Sequence, residues 1–197
     1  MRNTLFPAFC ATAFFVVFAC NKNSLQPNDF ASTQYGNTAT VKMSNSWWVN
    51  VSLPGTGNLT PLPVLFETYN TAQNKTDSMW LDDLGNLGLA YAVGFPGSLG
   101  MGPDSLAGLG VDIKCKVAIN YTAFTFSTAN SVNYYGDSAT TLVTVFGGKI
   151  LPMAGHSLSG NAVDSIMMKA VFSNAPNPTD TFTIAGVART GLNADDY

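Results

Sequence analysis

Apolar and polar residues alternate along most of this chain, and the 3.6-residue period of an amphipathic helix is scarce. In VDIKCKVAIN, Val111, Ile113, Cys115, Val117 and Ile119 fall on one side, and Asp112, Lys114, Lys116, Ala118 and Asn120 on the other. That is the pattern of a half-buried strand. Similar patterning predicts strands over 41–53, 64–70, 78–82, 123–127, 141–146, 149–153, 163–173 and 180–190. Turn signals separate them at Pro54-Gly55, Asn74-Lys75, Gly147-Gly148 and from Asn174 to Pro178. The expected fold is therefore all-β, with about 8–9 strands. Such a set is best arranged as a closed antiparallel barrel, because closure removes the exposed edges of an open sheet. A two-sheet sandwich is the alternative.

The first 20 residues, MRNTLFPAFCATAFFVVFAC, break this pattern: one basic residue, Arg2, precedes an apolar run. The run is too short and too close to the start for a spanning helix, which needs about 20 apolar residues, and it has the layout of an export signal. Its end, VFAC, is similar to the lipobox of bacterial lipoproteins, in which a small residue precedes a cysteine that is acylated and becomes the new N-terminus. The chain is thus expected to divide into a signal over 1–19, a tether over 20–40 beginning at lipidated Cys20, and one domain over 41–197. The tether, NKNSLQPNDFASTQYGNTAT after the cysteine, is polar and aperiodic; roughly 20 such residues have an r.m.s. reach of about 25 Å. Acyl chains bury roughly 0.8 kcal/mol per methylene, so the protein is expected to be anchored to a membrane without spanning it.

Charge and cysteine usage narrow the partners. Loss of Arg2 with the signal takes the formal charge from −3 to −4, and nine lysines and arginines with no basic run argue against nucleic acid. Of three cysteines, Cys10 leaves with the signal and Cys20 takes lipid, which leaves Cys115 with no partner for a disulfide within the chain. Its place on the apolar side of a strand predicts a buried thiol.

One segment invites a catalytic reading. GHSLSG, residues 155–160, is one residue from the GHSxG turn that presents a nucleophile in many esterases. Yet Ser159 replaces the second glycine, and the sole histidine, His156, stands inside the motif, where it is not placed to take a proton from Ser157. The following residues have strand character, so a Gly/Ser turn between strands is expected, with His156 exposed. No catalytic residue, metal ligand or cofactor site is assigned. Asp77, Asp82 and Asp83 are read as turn residues or partners for Arg189 in preference to a metal or acid–base site.

The chain resembles a known family at SWWV in the first predicted strand, at TYNTAQNKTDSMWLDD, at SGNAVDSI and at the terminal ARTGLNADDY. These stretches are similar to bacterial lipoproteins called lipid-binding putative hydrolases, whose fold is lipocalin-like and belongs to the calycin group. The resemblance covers most of residues 45–197; the Gly-rich segment 84–110 looks inserted, and the GHS lies outside the shared motifs. It implies a tryptophan near the first strand, at the barrel floor, covered by an arginine from the last: Trp47 or Trp48 with Arg189. The glycine usual two residues before that tryptophan is Asn45 or Ser46 here.

In segment 84–110, Leu87, Leu89, Tyr91, Val93 and Phe95 alternate with glycine and alanine, which makes it an extended insertion or a loop beside a binding site. A chain with 12% aromatic residues and seven methionines suits a concave apolar site, with Tyr91 and either Met167 or Met168 as candidate ligand contacts. The function expected is a membrane-anchored lipoprotein that binds a lipid or other small hydrophobic molecule in its barrel. A structural or interaction lipoprotein with a filled barrel is the alternative, and a lipid hydrolase comes third. The absence of acidic residues just after Cys20 points to the periplasmic face of an outer membrane. A transmembrane barrel is rejected, because Asp195, Asn193 and Gly191, alternate positions before Tyr197, do not form a lipid-facing strand.

Overall fold

The computed structural model describes residues 38–60, 62–87, 112–135, 141–175 and 177–197. The signal, Cys20, the tether to residue 37 and Tyr91 lie outside these residues. Nine strands follow in order: β1 Asn45–Leu53, β2 Gly57–Asn58, β3 Val64–Asn70, β4 Ser78–Asp82, β5 Lys114–Asn120, β6 Thr125–Val132, β7 Leu142–His156, β8 Ala162–Phe172 and β9 Phe182–Ala188. Neighbours in space are neighbours in sequence, except that two-residue β2 pairs only with the end of β1, so that β1 meets β3 directly. β9 returns antiparallel to β1, with Trp47 opposite Ala188 and Ser52 opposite Thr183. This pairing closes an eight-stranded up-and-down barrel and rules out the sandwich.

Alternation along each strand decides what points inward. Trp47, Val49 and Val51 of β1, Met79 and Leu81 of β4, Cys115 and Val117 of β5, and Ile166, Met168 and Ala170 of β8 are all buried. At the closing seam β9 crosses β1 so tightly that a Cβ on Gly186 would collide with the Trp48 carbonyl. Only glycine fits there.

The barrel has two rims. The lower rim holds the 3-10 turn Val41–Met43, the β7–β8 turn and the C-terminal segment; at the upper rim β4, β6 and β8 end and β5, β7 and β9 begin. The 3-10 turn puts Met43, fully buried, under the barrel, and Lys42 N donates to Tyr121 Oη (3.2 Å) across the floor.

Some expected boundaries move: the strand expected over 41–53 begins at Asn45, after the 3-10 turn Val41–Met43, and the one expected over 123–127 runs from Thr125 to Val132. Gly147-Gly148 is not a turn between two strands but an irregularity inside the 15-residue β7, where the register shifts between Phe146 and Lys149. Gly147 adopts φ +62°, and at Gly148 a side chain would collide with the Phe126 ring. Two glycines let the strand bulge and continue.

Candidate functional site

The barrel interior is the first place to look for a ligand. Its walls are almost wholly apolar, with Phe172 and Phe182 packed edge to face at 5.6 Å where β8 and β9 reach the upper rim. A void large enough for an acyl chain leaves accessible area on the side chains that line it. Phe66, Met79, Leu81, Val143, Val145 and Ile184 have 0% exposure, and Met168 has 1%. The described interior is therefore packed side chain against side chain. Of the two methionines proposed as ligand contacts, Met168 points into this core, whereas Met167, 41% exposed, points out.

A buried polar node sits in the floor. Thr68 Oγ1 donates to Met43 O (2.6 Å) and accepts from Trp47 Nε1 (2.9 Å) and Asn45 N (3.1 Å). One hydroxyl thus satisfies the indole of the largest core side chain and joins β3 to the chain entering β1. It lies in the stretch that carried the family resemblance, but nothing in the sequence marked it as different from any strand threonine.

Trp47 and Trp48 take different parts. Trp47 fills the interior; Trp48, one residue on, faces outward, and Arg189 lies over its ring at 5.7 Å. The arginine thus covers the outer tryptophan and leaves the inner one to Thr68. Asp196 completes the group, accepting from Arg189 Nε (2.7 Å) and Trp48 Nε1 (3.3 Å), while Tyr197 meets Trp48 edge-on at 5.7 Å. Arg189 is paired with Asp196, not with Asp77, Asp82 or Asp83.

The preceding aspartate explains the GHSLSG stretch. Asp195 accepts from Ser159 N (2.6 Å) and from Thr190 Oγ1 (2.7 Å), tying the C-terminal segment to the β7–β8 turn. Ser157 Oγ lies 3.0 Å from Ser159 Oγ, and Ser157 N donates to Asn161 O. His156 ends β7, exposed, and residues 157–161 are a strand-to-strand turn. Ser157 is therefore a turn residue beside a serine, with no imidazole bonded to it.

At the upper rim a denser cluster holds the end of β4 to the start of β5. Asp82 accepts from Tyr69 Oη (2.8 Å), Tyr135 Oη (2.8 Å) and Leu84 N (3.0 Å), and pairs with Lys114 Nζ at 2.9 Å. Burial pushes its carboxyl up, but the bonds from Lys114, Leu84, Tyr135 and Tyr69 together hold it below the ordinary range. Burial, and the bonds to Asp82, raise both phenols, so neither gives up a proton near neutrality. Asp83 behaves in the opposite way. Burial first, then the charge of Asp112, lifts its carboxyl well above the usual value, although Gly85 N (3.1 Å) and Leu87 N (2.9 Å) donate to it. Asp83 and Asp112 flank the Gly-rich segment; Asp83 N also donates to Ile113 O (3.0 Å), and Asn133 Nδ2 to Asp112 O (2.6 Å). Among the described residues no group of three or more His, Cys, Asp or Glu side chains is placed to hold a metal ion. Asp77 stands apart, accepting from its neighbour Ser78 Oγ (2.9 Å).

Cys115 has 0% exposure, and burial pushes its thiol up to about 12, which suits a core residue and not a nucleophile.

Comparison with known proteins adds one family. A family model described as lipid-binding putative hydrolase matches residues 32–193. No curated protein matches the chain. A solved structure from Bacteroides ovatus, a structural-genomics protein of unknown function, is similar with 12% identity and a TM-score of 0.41. The match covers 78% of this chain and 43% of that one, so the chain spans less than half of its length.

Proposed function

Because the chain belongs to the lipid-binding putative hydrolase family, we propose that it is a lipoprotein, held to a bacterial envelope membrane through acylated Cys20, whose barrel binds a lipid or other small hydrophobic molecule. The observation that carries this reading is a closed barrel with an apolar inner face. Such a surface solvates an acyl chain or a sterol-like body and offers no group to react with it. The interior is packed side chain against side chain, so a ligand must displace side chains as it enters. Met43, Met79 and Met168, unbranched and fully buried, are the ones that can move at least cost. The residues just after Cys20, none of them acidic, support the periplasmic face of the outer membrane as the site of action.

The same packing favours a second reading, a structural or interaction lipoprotein whose core is permanently filled. Exhaustive solvent extraction of the purified protein followed by mass spectrometry separates the two. A stoichiometric apolar molecule supports binding; an extract that holds only the acyl chains of the anchor supports the filled barrel. Hydrolysis gains nothing from the geometry around Ser157.

A further inference from the structure

We propose that the outer wall formed by β7 and β8 is a membrane-contact face for anionic phospholipid, which rests on the anchored reading and says which side of the barrel lies against the bilayer. Register places two cross-strand pairs side by side: Phe146 opposite Lys169, and Lys149 opposite Met167. Side chains directly opposite on an antiparallel pair have Cβ atoms about 5 Å apart, so the four form one patch. Phe146 is 40% exposed and Met167 41%, and both lysines are exposed. Single exposed apolar residues are ordinary on any surface. Two of them interleaved with two ammonium groups are the arrangement that lets lysine stems lie on apolar surface while their heads reach phosphate.

Charge complementarity selects the partner. The protein as a whole has a formal charge of −3, yet strands β6 to β9 carry a single carboxylate, Asp164, which accepts a hydrogen bond from Met153 N (2.8 Å). Among the described residues the other acidic groups lie off these strands: Asp82, Asp83, Asp112 and Asp180 at the upper rim, Glu67 and Asp77 on β3 and before β4, and Asp195 and Asp196 in the C-terminal segment. This wall is therefore the one a negatively charged bilayer repels least.

The bulge adds a seat for a headgroup. Beside Lys149 lies a hollow of about 490 Å³ between β5, β6 and β7, lined in part by Gly147, where a side chain would meet nothing within 4 Å. Asn120, Thr125 and Ser127 line it with hydroxyl and amide groups, and none of its lining residues is acidic. A phosphodiester headgroup resting there meets an ammonium and several donors, with Phe146 and Met167 under the adjoining acyl region. A neighbouring hollow with Lys116 also carries Asp77 and does not share this bias.

The test places an environment-sensitive thiol probe at Met167→Cys in the protein purified from its membrane and reconstituted into vesicles. Cys115 is buried and does not compete for the probe. A reference label sits at Leu62→Cys, an exposed position on the upper rim. With vesicles containing phosphatidylglycerol, the label at 167 is expected to shift to the blue and to be quenched by brominated lipid. On pure phosphatidylcholine, in high salt, or in a Lys149→Glu/Lys169→Glu variant, the fraction of label in contact with lipid falls roughly tenfold or more. A label at 167 that responds equally to both vesicles, or stays unshifted while the label at 62 responds, overturns the proposal. The mass of the intact protein reports acylation of Cys20 separately, so a missing anchor is told apart from a missing contact face.

Discussion

Thr68 shows how much of this fold turns on single hydroxyls that no pattern advertises. Its three hydrogen bonds serve Trp47, Asn45 and Met43 inside the core. Thr68→Val keeps the volume and strands all three partners, so it is expected to cost about 2 kcal/mol or more, whereas Thr68→Ser, which keeps the hydroxyl, costs less. Denaturant unfolding of the two variants checks this; a small loss for Thr68→Val beside a larger one for Thr68→Ser would mean that the methyl and not the hydroxyl matters. At this scale alternation reached a good part of the answer. It put Ile113, Cys115 and Val117 inside, and all three are buried. It left the Met167/Met168 pair open, and burial decides it: Met168 is in the core and Met167 is exposed. It did not foresee that Arg189 would cover Trp48 and not Trp47, because the two indoles differ only in which side of β1 they occupy.

Among the elements, the strands with clean alternation were legible: 64–70 and 78–82 are β3 and β4 as expected. β7 was not, since a Gly-Gly pair reads as a turn unless one knows that the Phe126 ring lies against it. The GHSLSG segment was legible as a turn, but its fastening by Asp195 across 36 residues was not, because side-chain partners so distant leave no local signal. The β4–β5 junction gives the element-scale test. Asp83's raised carboxyl means that the folded protein holds a proton which the unfolded chain releases near pH 4. Its contribution is most favourable below that pH and is lost as pH rises towards the folded value. Asp82, held low, acts in the opposite sense and loses its contribution as pH falls. Asp83→Asn is isosteric and can still donate to Asp112. The melting temperature of Asp83→Asn minus that of the natural protein is therefore expected to become more positive between about pH 4 and pH 8. A difference that is flat with pH would contradict the raised carboxyl of Asp83.

For the whole molecule, the barrel was foreseeable from strand number and the need to hide edges, and closure through β1 and β9 settles it. The filled interior was not, because apolar alternation looks the same whether the inward side chains meet one another or surround a ligand. Anchoring is tested on the intact chain: Cys20→Ala removes the only thiol proposed to carry acyl chains, so the variant is expected to leave the membrane fraction or to accumulate unprocessed. Labelled palmitate that still enters the variant would contradict the anchor. The central claim, that the barrel takes up an apolar guest by moving its inner side chains, is tested most directly by binding of a fluorescent fatty acid to the natural protein, Met168→Trp and Met167→Trp. The natural protein is expected to bind. Met168→Trp fills the space a guest needs and is expected to weaken binding at least about tenfold, worth about 1.4 kcal/mol, while Met167→Trp, facing outward, changes it little. The contradicting result is a natural protein that binds no apolar probe while Met168→Trp loses about 1 to 3 kcal/mol of stability to overpacking.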